Sequence, residues 1–67
     1  MLDKESAIIY LENYLSEAAK ALRSAWRLCK HNGMEATAKE LADTVLDVET
    51  ALELVSQERN QALSEGP

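Results

Sequence analysis

An all-α fold is predicted, a two-helix antiparallel αα-hairpin that pairs with a second copy into a homodimeric four-helix bundle. Three observations predict it. Two stretches of nearly equal length carry apolar residues at helical spacing. One helix-breaking segment, His31-Asn32-Gly33, separates them, and neither stretch has a Gly or Pro inside it. The apolar stripe along each stretch is wider than a two-stranded seam, so one helix pair leaves part of it wet. The expected layout is a single domain over 1–67: helix 3–31, turn 31–34, helix 34–63 and a frayed tail over 64–67.

The first helix opens at Asp3, whose side chain can accept from the free N–H groups of the first turn. Glu5 follows where an anion is favoured. Ile8, Leu15, Leu22 and Cys29 fall on one heptad core position, and Leu11, Ala18 and Ala25 on the other. Ala7, Tyr14, Ala21 and Leu28 widen the stripe on one side, Ala19 and Trp26 on the other. Lys30 and His31 put cations at the C-terminus of the helix, where the backbone dipole favours them. Asn32 and Gly33 tolerate the left-handed backbone that ends helices. Asn32 can also cap the second helix, with Glu35 three residues on completing a capping-box spacing. A tight β-hairpin at Asn32-Gly33 is excluded, because the flanks are rich in Ala, Leu, Glu and Lys and lack period-2 alternation.

In the second helix the core series is Met34, Ala38, Leu41, Val45, Val48, Leu52, Val55 and Ala62, with Arg59 interrupting it. Ala42 and Ala51 widen that stripe. Each helix of roughly 28 residues spans about 42 Å at 1.5 Å per residue. Two matched helices across a short turn pack antiparallel. Two hairpins face to face close the wide stripe with two-fold symmetry. The oligomer interface is expected to draw on Ile8, Leu11, Leu15, Leu22 and Trp26 of the first helix. From the second it takes Leu41, Val45, Val48 and Leu52. Ala18, Ala19, Ala21 and Ala25 let helices approach closely beneath larger Val and Leu side chains.

Size points the same way. A chain of 67 residues buries little surface alone and needs a disulfide, a metal or a partner. One cysteine allows no internal disulfide, and one His with one Cys makes no zinc site. No cofactor is expected. No apolar run approaches the ~18 residues of a membrane span, so no membrane partner is expected. Met1-Leu2-Asp3-Lys4-Glu5 lacks the basic start and apolar block of a signal peptide, which implies a soluble, cytoplasmic protein. The net charge of −5 is uneven: five basic and four acidic residues stand up to Gly33, two basic and eight acidic after it. That balance opposes non-specific binding to nucleic acid.

Three features stand outside the core pattern. Ile9 and Tyr10 point away from it, level with the equally outward Leu54, and form a candidate partner-binding patch at the open end of the hairpin. Lys20, Arg23, Arg27 and Lys30 recur at spacings of three, four and three, a candidate phosphate-contacting strip for RNA. The third is Glu40-Leu41-Ala42-Asp43 on an acidic face with Asp47 and Glu53. This tetrapeptide resembles half of the paired acidic motif of MazG-like all-α nucleotide pyrophosphohydrolases, where carboxylates from two helices hold magnesium. The Glu-x-x-Glu half is missing, since Glu12 and Glu17 stand five apart. Cys29 sits at a core position, and His31, two residues away, does not share its face. No set of residues supports catalysis.

In length, hairpin layout and heptad pattern the chain is similar to plasmid copy-number regulators of the Rop type, short hairpins that dimerise and bind paired RNA loops. It also looks like the small helical-hairpin chaperones of type III secretion, which wrap a needle subunit. Both likenesses cover most of the chain but carry no residue-level motif. The expected function is therefore a small non-catalytic protein–protein interaction module or regulator acting as a hairpin oligomer. The alternatives are an RNA-binding dimer using the basic strip, and a secretion-chaperone-like hairpin.

Overall fold

Residues 3–64 are described by a computed structural model, with side-chain surroundings given for 3–61. Two helices make up the fold, α1 over Lys4–His31 and α2 over Glu35–Ser64. Ser64 closes α2; the rest of the expected tail and the side chain of Ala62 lie outside the described residues.

Helix α1 starts where Asp3 holds an extended backbone and its Oδ1 accepts from the Ser6 N–H at 2.8 Å. The Ser6 backbone hydrogen bond, then that of its side chain, favours the charged carboxylate and lowers the Asp3 pKa. A carboxyl depressed on folding contributes stability above its unfolded pKa of about 3.9 and loses it as pH falls through the folded value. Acidification through that window should fray the first turn of α1 before the rest melts. Amide exchange at Ser6 reports it, and Asp3→Asn, which keeps an acceptor without the charge, should remove the pH dependence.

The hinge is a helix stop of the Schellman type. The Met34 N–H donates to the Cys29 carbonyl at 2.9 Å and the Gly33 N–H to the Lys30 carbonyl at 3.4 Å. Gly33 has a φ of +70°, and a Cβ there would meet nothing within 4 Å. The glycine is thus required by backbone conformation alone. Gly33→Ala should lower stability by about 1–2 kcal/mol, the strain of a left-handed alanine. Gly33→Asn should lower it less, and chemical denaturation compares the two.

Asn32 does not cap the second helix, as its spacing to Glu35 suggested. Its N–H donates to the Cys29 and Lys30 carbonyls and its Nδ2 to the Leu28 carbonyl at 2.8 Å. All its donors serve the end of α1. Glu35 turns instead to Lys30 Nζ at 3.1 Å, bridging the hinge.

The helices lie antiparallel, joined by ion pairs along their length. Lys4 meets Glu58 at 3.4 Å, Glu12 meets Arg59 at 3.1 Å and Arg23 meets Glu49 at 2.7 Å. Exposed pairs of this kind contribute up to about 1 kcal/mol each, so they add little to the stability of the hairpin. The seam itself is thin. Ile8, Ala19 and Cys29 of α1 and Ala38 of α2 are the buried apolar side chains among the described residues. Leu15, Leu22, Leu41, Val45, Val48 and Leu52 are half-buried beside them.

The row Ile8, Leu15, Leu22 and Cys29 faces α2 as its spacing predicts. Its companion differs from the expected one. Ala19 is 3 % exposed, whereas Leu11 is 46 % exposed and Ala18 half-buried. The seam has rotated toward the Glu12–Ala19–Trp26 side of the stripe. Glu12 enters it because Arg59 pairs with its carboxylate and the Ser56 hydroxyl donates to it at 3.4 Å.

The product is long and flat, with extents of 54 × 19 × 14 Å. The thinnest dimension is little more than one helix with its side chains, about 10–12 Å. The radius of gyration is 15.4 Å, against about 11 Å for a compact chain of this length.

Candidate interaction surfaces

The flat hairpin has two faces of unlike chemistry, because the rotated seam divides the stripe unequally. One face is a polar groove of about 570 Å³, lined by Ser16, Lys20, Arg23, Glu49, Thr50 and Glu53 over a floor of Ala19 and Leu52. It continues toward the hinge as an apolar cleft of about 300 Å³ between Trp26, Ala42, Val45 and Leu46. Trp26 is 37 % exposed at its edge.

The other face is apolar for most of its length. On α1 it carries Leu11, Tyr14, Ala18, Ala21, Ala25 and Leu28, recurring every three and four residues. On α2 it carries Leu41, Thr44, Val48, Ala51 and Val55. The Thr44 hydroxyl donates to the Glu40 carbonyl at 2.9 Å, so this threonine needs no outside partner. Tyr14 and Leu28 are two-thirds exposed. At the open end this face deepens into a cleft of about 280 Å³ lined by Ala7, Ile8, Leu11, Leu54 and Val55 and closed by the Lys4–Glu58 pair.

The nine residues expected at an oligomer interface fall on different parts of the hairpin. Ile8 is spent inside the seam, and Leu15, Leu22, Val45 and Leu52 flank it. Leu11, Leu41 and Val48 open onto the apolar face, and Trp26 onto the opposite cleft. Sequence spacing missed Tyr14, Ala21 and Leu28 as one continuous ribbon with Leu11, because it spent Leu11 on the seam. Interleaved with Leu11, Ala18 and Ala25 they recur at three and four, and that combined spacing is the signal that could have found it.

Ile9, Tyr10 and Leu54 are all about half exposed, as their outward positions require. They do not share one pocket. Leu54 lines the open-end cleft, and Tyr10 stacks on Tyr14 with ring centroids 6.3 Å apart. Ile9, one residue before Tyr10, points about 100° away from it around the helix axis.

The basic strip is largely engaged within the chain. Arg23 is taken by Glu49, Lys30 by Glu35, and Lys20 lies 3.7 Å from Glu17 one turn earlier. Arg27 alone of the four makes no ion pair among the described residues. On α2, Glu40 and Asp43 are exposed. Among the described residues no group of three His, Cys, Asp or Glu side chains is placed to hold a metal ion. Cys29 is a free, buried thiol. No described helix is long and apolar enough to cross a membrane.

Comparison with protein families, characterised proteins and solved structures finds no match to this chain.

Proposed function

We propose that the chain is a small non-catalytic protein–protein interaction module, a regulator that works as a homodimeric hairpin closed into a four-helix bundle. The open apolar face carries this reading. It displays Leu11, Tyr14 and Leu28 to water while only four apolar side chains are buried among the described residues. An exposed contiguous apolar patch marks an interaction site. A second copy supplies a matching face at no cost in new sequence, and a chaperone-like role would put a partner's helix on the same ground. The cytoplasm is the proposed compartment, since the single cysteine is a free thiol.

RNA binding by Lys20, Arg23, Arg27 and Lys30 is the weaker reading. Three of the four cations already hold carboxylates, which an RNA phosphate would have to displace. Salt separates the two readings by sign. Each copy carries a net charge of −5, so added salt screens repulsion between copies and should tighten the dimer. Phosphate contacts weaken with salt. Sedimentation equilibrium from low to high salt should show a dimer of the 7.4 kDa chain that strengthens. A folded monomer at micromolar concentration would overturn the dimer. RNA binding that falls with salt and disappears in Arg23→Ala/Arg27→Ala would reverse the order.

A further inference from the structure

We infer that the second copy docks on the apolar face end for end, its hinge at the opposite end of the bundle. Leu11 and Tyr14 of one α1 then seat on the alanine run Ala18-Ala21-Ala25 of the other. This rests on the dimer proposed above and specifies its geometry.

Area identifies the occupant. The chain exposes 5254 Å², whereas a compact monomer of its 7.4 kDa mass exposes about 4200 Å². The excess of about 1000 Å² is close to the roughly 800 Å² that each partner buries in a standard interface. One more hairpin of the same size and flatness accounts for it.

Side-chain volume identifies the direction. Lys30 meets Glu35 across the hinge, and Leu11 lines one cleft with Leu54 and Val55 at the open end. Equal helical rise between these two ends sets Leu11 level with Val55, Tyr14 with Ala51, Ala21 with Thr44 and Ala25 with Leu41. The face is therefore thick toward its open end and thin in its middle. With both hinges at one end, the two-fold axis runs along the bundle and each layer meets its own duplicate. Leu11 and Val55 of both copies would crowd one layer, and Ala21 and Thr44 of both would leave another hollow. Crowding and voids are each destabilising.

Turning one copy end for end sets unlike layers together. Leu11 and Val55 then share a layer with Ala25 and Leu41, and Tyr14 and Ala51 share one with Ala21 and Thr44. Layer volumes even out along the bundle, as close packing requires. The arrangement also sets α2 beside the α2 of the other copy, acidic beside acidic. Exposed carboxylates farther apart than the ~8 Å screening length at physiological salt repel weakly, so packing decides.

Lysine cross-linking of the wild-type chain tests the direction. Lys4 and Lys30 stand 26 residues apart on α1, about 39 Å by helical rise, beyond the reach of a short amine-reactive linker within one chain. End-for-end docking brings Lys4 of one copy beside Lys30 of the other. A Lys4–Lys30 peptide from the dimer band, carrying one labelled and one unlabelled half in isotopically mixed dimers, is the expected product. Mixed Lys30–Lys30 links without Lys4–Lys30 would overturn the direction and leave the dimer standing. A sample that sediments as a folded monomer would overturn both. Spin labels at His31→Cys in a Cys29→Ala background give a second measurement. End-for-end docking predicts hinges separated by about one helix length, roughly 40 Å. Hinges at one end predict a separation nearer the 8–10 Å helix spacing plus the label arms.

Discussion

Leu22→Asp should leave the chain unfolded at micromolar concentration. Leu22 is half-buried in the seam between the buried side chains of Ala19 and Cys29. A carboxylate there lacks a cation to meet. The two nearest on α1, Lys20 and Arg23, already lie against Glu17 and Glu49. An unpaired charge taken from water costs several kcal/mol even after relaxation. A domain of this length has only about 3–10 kcal/mol of stability in total. The penalty therefore consumes most or all of the stability in hand. Far-UV circular dichroism should show the helical minimum at 222 nm largely lost. Ser24→Asp, two residues on and exposed, should keep it. A fully helical Leu22→Asp chain would mean that the Leu22 row does not hold the hairpin together.

That row was legible in the sequence because the signals behind it are local. Asp3, the apolar spacing and Gly33 each act within a few residues of themselves, so composition and period reveal them. What stayed hidden depends on residues far apart. The stripe on α1 is apolar on both sides of Ile8, Leu15, Leu22 and Cys29, and Ala18 and Ala19 are the same residue type. Nothing local says which alanine meets α2. The choice is made by Glu12, which reaches Ser56 and Arg59, 44 and 47 residues away, and so becomes acceptable at a seam position. Arg59 had already broken the apolar series of α2 at the height of Glu12, and pairing those two exceptions would have exposed the rotation. The hinge misled for a related reason. Asn32 suits both a helix end and a helix start, and its donors went to the carbonyls of α1. Glu35 was then free for Lys30. The functional surfaces were legible only in part, since their members are whatever the seam does not use.

Val48→Lys tests the leftover face as directly as Leu22→Asp tests the seam. Val48 is half-buried near the middle of α2, on the apolar side. End-for-end docking places it close to the two-fold axis, so one substitution puts two ammonium groups near each other in a dry interface. Each removes an apolar contact and brings a charge without a partner, a penalty of several kcal/mol. At 1.4 kcal/mol per tenfold, the dimer dissociation constant should rise by more than about 100-fold. The hairpin itself loses less, because Ala19, Cys29 and Ala38 stay buried. Two measurements follow from that separation. Sedimentation velocity should show a monomer where the wild type is a dimer. The wild-type melting temperature should rise with protein concentration, as linkage to association requires, and that of Val48→Lys should not. Leu46→Lys is the matched control, two residues away and 62 % exposed on the opposite groove. It should leave association unchanged. If both variants associate as the wild type does, the apolar face is not where the copies meet. If Leu46→Lys alone dissociates the dimer, the interface belongs to the Trp26 cleft instead.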